Sequence, residues 1–235
     1  MGRYLPDQAA LSKPKLTSSA RVTLRAGVMS VAGLFTAIAP LTHAEVFADA
    51  QISRVNYTAT PFAAKLKCAA LTAGSNFDYT IISSTLIAET TAHPEHCRIS
   101  GIIPSEVRFE VNLPTAWNGR LYMYGNGGLA GTPAIDPGKQ LARNQALTKG
   151  FATAYTDTGH DKRVHSGGTF AYRNFHKLVD YGFRAVHLTA VTAKHIAKTF
   201  YARDVKHSYF NGCSTGGRQG MLAAQRFPQD FDGIV

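Results

Sequence analysis

The sequence predicts an α/β fold in which strands end in glycine-bearing loops, and three observations carry that reading. Val107, Phe109, Val111 and Leu113 alternate with Arg108, Glu110 and Asn112, the period-two pattern of a strand with one wet face. Two short apolar runs, Leu121–Tyr124 and Phe151–Tyr155, open into Gly125-Asn126-Gly127-Gly128-Leu129-Ala130-Gly131 and into Asp157-Thr158-Gly159-His160. From Asp180 to Tyr201 the apolar residues Phe183, Val186, Ala190, Ala193, Ala197 and Phe200 recur in steps of three and four, which is a helix with one buried face. Strands and helices in that order build a sheet whose working loops lie at strand ends.

In chain order, residues 1–44 stand apart. Arg3, Lys13, Lys15, Arg21 and Arg25 precede the charge-free apolar run Ala26–Leu41, followed by the small-residue exits Thr42-His43-Ala44 and Ala48-Asp49-Ala50. Basic, apolar, small is the order of an export signal. Pro40 interrupts a run already shorter than the ~20 residues a spanning helix needs, which argues against a membrane anchor and for a secreted or periplasmic protein. Residues 45–104 are turn-rich, punctuated by Pro61, Gly74, Pro94 and Pro104, and are expected to form an N-terminal extension stapled by a disulfide. The α/β domain is expected over 105–235. It contains the strand ending at Pro114, the two apolar runs, a short helix over Gln140–Thr148, the long helix, a strand at His207–Asn211, a helix over Gly216–Arg226 and the start of a further strand at Ile234-Val235.

Composition limits the function classes. With 45% hydrophobic and 10% aromatic residues the chain can bury a core. The net charge of +10 falls to +6 when the five basic and one acidic residues of 1–44 are discounted. The remaining basic residues are scattered, without the aromatic-interleaved stripe that nucleic-acid binding needs. No His-Glu-x-x-His or similar spacing marks a metal site, and no cofactor motif is present: the glycine loop lacks both the Gly-Lys-Ser/Thr of a phosphate loop and the Gly-x-Gly-x-x-Gly of a dinucleotide site. The three cysteines, Cys68, Cys97 and Cys213, are an odd number for an exported chain. Pairing Cys68 with Cys97 is the favoured assignment and leaves Cys213 over; the other pairings stay open.

The chemistry is concentrated at Gly212-Cys213-Ser214-Thr215-Gly216, a Gly-x-Ser-x-Gly placed between a strand and a helix. A serine hydroxyl is a weak nucleophile at neutral pH and needs a base and a pair of oxyanion donors. In a nucleophile elbow the residues two before and two after the serine must be very small, which Gly212 and Gly216 satisfy, and the next N–H, here Thr215, points toward the substrate oxygen from a helix N-terminus. The second donor comes from the loop after an earlier strand, and Gly127 or Gly128 is the candidate. The base is not evident. His160, His165, His176, His187, His195 and His207 all precede Ser214, whereas α/β-hydrolases run serine, acid, histidine. His160, at a strand end, is the one that could line the site.

These residues, with Thr156-Asp157-Thr158-Gly159-His160, Gly217-Arg218-Gln219-Gly220 and Phe231-Asp232-Gly233-Ile234-Val235, resemble the tannase and feruloyl esterase family over roughly 60–235. The resemblance implies an α/β-hydrolase that cleaves esters of aromatic acids through an acyl-enzyme, with a small aromatic ester as substrate; from composition no nucleic-acid partner is expected, and no stable membrane insertion once the signal is cleaved. It implies Ser214 as nucleophile, Thr215 with Gly127 or Gly128 as oxyanion donors, and Cys213 paired with a cysteine beside the triad histidine. It also implies that the fold is incomplete here: the acid, the histidine and a lid domain, which in the family carries a calcium site, are expected beyond this stretch, so the stretch alone is expected to be inactive. An acyltransferase on the same scaffold and an inactive binding relic remain open as alternatives.

Overall fold

A computed structural model describes residues 60–235; the expected export signal lies outside the described residues. The strands are β1 (Phe62–Ala63), β2 (Thr80–Ile87), β3 (His96–Ile103), β4 (Val107–Pro114), β5 (Ala116–Trp117), β6 (Arg120–Tyr124), β7 (Ala152–Thr156), β8 (His207–Asn211) and β9 (Gly233–Ile234). The helices are α1 (Pro137–Thr148), α2 (Phe175–Val179), α3 (Ala185–Tyr201) and α4 (Thr215–Arg226). Seven strands form one sheet in the order β2-β3-β4-β7-β6-β8-β9, while β1 and β5 pair separately. The sheet is antiparallel from β2 to β7 and parallel from β7 through β6 and β8 to β9.

Two features depart from the sequence reading. The described part of the expected extension, residues 60–104, does not stand off: β2 and β3 lie in the main sheet, within one compact unit of described residues. The reason is β3, whose eight residues pair with β4 from His96↔Pro114 to Ile103↔Val107, a ladder hidden in the sequence by the prolines at its borders. The second departure is β4. Its supposed wet face is largely covered, since Glu110 and Asn112 are buried while only Arg108 is exposed. The polar residues pair there with one another: Arg143 of α1 bonds Glu110 Oε1 at 3.3 Å, and Asn112 Nδ2 donates to Glu110 Oε1 and to Thr153 Oγ1 of β7, while Asn112 Oδ1 has no partner among the described residues.

The long helix is as expected on its core side, with Val186, Ala190, Ala193, Ala197 and Phe200 buried. Its first turn differs, because Asp180–Arg184 forms a π-helical turn before α3 begins. The start of α1 is set by Asp136, whose side chain accepts the Gly138 N–H, followed by Pro137 at the first helical position. Cys68 and Cys97 are disulfide-bonded across 29 residues, with Cα atoms 5.5 Å apart, tying the 3₁₀ turn Cys68–Gly74 to β3. Trp117 anchors the far end of the core: it is fully buried, stacks on Tyr201 of α3 at 4.2 Å and donates its indole N–H to Arg120 O.

Candidate active site

Parallel pairing of β6 with β8 places their C-terminal ends side by side, and the pairing runs on through Gly125 N–H to Asn211 O at 2.8 Å. The glycine loop after β6 and the serine turn after β8 therefore leave the sheet as neighbours. Ser214 sits on that turn with φ +58° and ψ −119°, a left-handed backbone that costs a non-glycine residue about 1–3 kcal/mol. The turn is held by Gly212 N–H to Val235 O (2.8 Å), Gly216 N–H to Cys213 O (2.9 Å) and Arg218 N–H to Ser214 O (3.1 Å).

The small residues around the serine follow from contact. A Cβ on Gly212 would lie 2.4 Å from Gly216 C and O, and a Cβ on Gly125 would lie 2.7 Å from Gly216 Cα. Three backbones thus meet where no side chain fits. Across this contact, Thr215 Oγ1 donates to Gly128 O, fastening the glycine loop to the start of α4. The N–H groups of Thr215, Gly127 and Gly128 have no acceptor among the described residues. The structure brings Ser214, Thr215 and Gly128 together at the mouth of one turn.

Beneath the loop lies a clasp that the sequence did not disclose. Gln219 of α4 accepts the Asn126 N–H at 3.1 Å and donates Nε2 to Asn126 Oδ1 at 3.0 Å. Asn126 Nδ2 in turn donates to the Tyr155 hydroxyl and to Thr156 O, and Tyr155 donates to Thr132 O. All five residues are buried. From the other side Lys139 Nζ donates to Gly125 O at 2.7 Å. Arg218 holds the π turn: its guanidinium donates to Tyr181 O and Gly182 O and lies 4.3 Å from the centroid of the Tyr181 ring. The only sequence signal for these contacts was the run Gly217-Arg218-Gln219 itself.

Among the described residues Ser214 Oγ has no hydrogen-bonded base. His160 stacks on Phe170 at 3.8 Å and sets Nε2 3.1 Å from Leu129 O, so that its proton braces the glycine loop; burial holds it below the ordinary histidine pKa and neutral. His187 bonds Asp230 at 2.8 Å, and His195 packs edge-on to Tyr79. Cys213, beside the serine, is an exposed free thiol. No group of three or more His, Cys, Asp or Glu among the described residues could hold a metal ion, and no described helix is long and apolar enough to cross a membrane.

The family model of tannase and feruloyl esterase matches residues 92–235. The chain belongs to that family. Among its relatives in the tannase and feruloyl esterase family, a mono(2-hydroxyethyl) terephthalate hydrolase of Piscinibacter sakaiensis is 39% identical over 63% of this chain and 27% of its own length. Feruloyl esterase B of Aspergillus niger is 37% identical over 69% of this chain and 30% of its own. The crystal structure of feruloyl esterase B from Aspergillus oryzae superposes with a TM-score of 0.60 at 31% identity, covering 71% of this chain and 36% of that one. The chain thus spans about a third or less of these relatives, and its sheet is the corresponding part of an α/β-hydrolase fold.

Proposed function

We propose that this chain carries the nucleophile and oxyanion half of a serine carboxylesterase for esters of aromatic acids, working through an acyl-enzyme on Ser214. One observation supports this above the rest: Ser214 is held in a strained left-handed turn whose neighbouring N–H groups, from Thr215 and from Gly127 or Gly128, have no acceptor among the described residues. In this reading Ser214 Oγ attacks the ester carbonyl, the alcohol departs, and water later releases the acid. The carbonyl oxygen, negatively charged in between, is met by N–H groups fixed in advance by the Thr215 and Gln219 contacts. The aromatic acyl group is inferred from the named substrates of the relatives.

The same reading places the triad acid and histidine, the cysteine that pairs with Cys213, and a lid with its calcium in segments outside this chain. The length of the relatives supports that assignment. It assigns an export signal to residues 1–44, in keeping with the Cys68–Cys97 disulfide. Without those segments the chain is expected to show at most weak esterase activity. The test is a fluorophosphonate probe, which reacts with an activated serine. The chain joined to the downstream segment of its gene should be labelled at Ser214 and hydrolyse methyl ferulate or methyl gallate, both lost in Ser214→Ala. Hydrolysis that persists in Ser214→Ala would refute the assignment, and transfer of the acyl group to an added alcohol in preference to water would make it an acyltransferase.

A further inference from the structure

A cavity of about 420 Å³ opens beside the far end of the glycine loop, where Gly131 lines it. Its walls are Ile82, Phe109, Pro133, Ala134, Ile135 and Tyr155, and Arg98 of β3 enters it. Neither Ser214, Thr215, Gly127 nor Gly128 lines it. The volume lies in the range of small-molecule sites, and the apolar wall is joined by Arg108, Glu110, Asp157, Asp161 and Arg163 besides Arg98.

Arg98 is the unusual element. It is half-buried, its Nε is sealed from solvent, and its guanidinium has no acceptor among the described residues. The acid that could neutralise it, Glu110, is bonded instead to Arg143 and Asn112. A half-buried arginine with no carboxylate hydrogen-bonded to it is costly, and burial together with the like charge of Arg143 pulls its pKa down against the opposing pull of Glu110. Five N–H donors in a planar fork match a carboxylate.

We propose that this cavity is a binding site for a small single-ring carboxylic acid, its carboxylate on Arg98 and its ring against Phe109, Pro133, Ile135 and Tyr155. The site is separate from the serine turn, and the proposal stands whether or not the esterase reading does. A neutral molecule leaves Arg98 unpaired, and a bare inorganic anion leaves the apolar wall uncovered. Asp157 also lines the cavity, and burial lifts its carboxyl to about 7. It accepts the backbone N–H of Arg108 from β4, while Glu110 of β4 is paired with Arg143, Asp161 and Arg163 pair with each other beside it, Asp180 of the π turn lies against Gly159, and burial holds His160 below its ordinary pKa. A bound carboxylate is repelled by ionised Asp157 and accepted beside its protonated form, so binding strengthens as pH falls from 8 to 6.

The experiment uses benzoate as probe on the full chain, with calorimetry for affinity and amide chemical shifts for location. Benzoate is expected to bind saturably, to perturb Ser100, Gly101 and Gly131, and to bind more tightly at pH 6 than at pH 8, a difference that Asp157→Asn removes. Benzamide, of the same shape without the charge, and inorganic phosphate are expected to bind at least tenfold more weakly. Arg98→Gln should weaken benzoate by roughly 10–100-fold, the loss of a charge-assisted hydrogen bond. Ala134→Trp, which fills the partly exposed wall without touching a charge, should abolish binding; both variants are checked for native melting. Absence of saturable benzoate binding, equal binding of benzamide, affinity unchanged by both variants, or shifts centred on Gly127, Gly128 and Thr215 would each overturn the proposal.

Discussion

Replacing Asp157 by asparagine should change how the stability of this fold responds to pH, and the size of the change follows from two buried groups with opposite signs. Asp157 is nearly buried, and its Oδ1 accepts the N–H of Arg108 at 3.0 Å and of Gly159 at 2.8 Å. Those bonds favour the ionised form, yet burial outweighs them and lifts the carboxyl from 3.8 to about 7. Between these values the native state keeps a proton that the unfolded chain has lost. Stability therefore falls as pH rises through that window, by roughly 4 kcal/mol at 1.36 kcal/mol per unit, and is level above it.

His96 acts in the other direction. It is fully enclosed with Nδ1 against Pro94 O, and burial lowers its pKa from 6.5 to about 4. Between those values the unfolded chain binds a proton that the native state refuses, so stability is lost as pH falls, by roughly 3 kcal/mol. The lowered pKa of His160 adds to the same side. In the native protein the slopes of Asp157 and His96 oppose each other from about pH 4 to 6.5. Asp157→Asn keeps a carbonyl oxygen for both N–H groups and cannot ionise, so it uncovers the histidine slope. Urea unfolding at pH 4.5, 5.5, 6.5 and 8 should show the variant gaining stability relative to wild type as pH rises, with the difference complete by pH 8. Parallel profiles for the two proteins would refute the assignment of a buried neutral carboxyl to Asp157.

Three further outcomes follow from the geometry. Gly212→Ala puts a Cβ 2.4 Å from the Gly216 backbone, so the turn must break; the variant is expected to lose its cooperative melt or to melt far below wild type, whereas Gly127→Ala, with no atom within 4 Å of its Cβ, is expected to melt near it. Gln219→Ala removes both bonds to Asn126 and should cost about 1–3 kcal/mol in urea unfolding, with faster hydrogen exchange at Gly127 and Gly128 than at α3. Cys68→Ala with Cys97→Ala opens a loop whose closure stabilises the fold by about 3–4 kcal/mol in the chain-entropy model, which chemical denaturation of the double variant against the oxidised protein would measure.

Much of the sheet was legible because its strands carry their own punctuation. Val107–Pro114, Arg120–Tyr124, Ala152–Thr156 and His207–Asn211 each end at a proline, a glycine loop or the serine turn, within a residue or two of where the apolar pattern placed them. β2 was not legible, because it is an edge strand with most side chains exposed and so carries no alternating apolar face. The buried Glu110 was misread for a related reason: alternation reports which residues share a face, and whether that face meets water depends on α1 arriving with Arg143.

The sequence by itself determined the serine turn, since Gly212 and Gly216 flank Ser214 at a spacing that only a tight strand-to-helix bend uses, and local backbone constraints are written in local residues. It also determined the family, through the run around Cys213 and Arg218. The tertiary structure alone decided what that run is for. Gln219 clasps Asn126, a residue 93 positions earlier in the chain, and Arg218 closes on two carbonyls of the π turn. It alone left Arg98 at a cavity with no acid hydrogen-bonded to it, because Glu110 is bonded to Arg143. Partners brought together by sheet order leave no spacing in the sequence, so hydrogen bonds and charge pairing become readable only when the strands are in place.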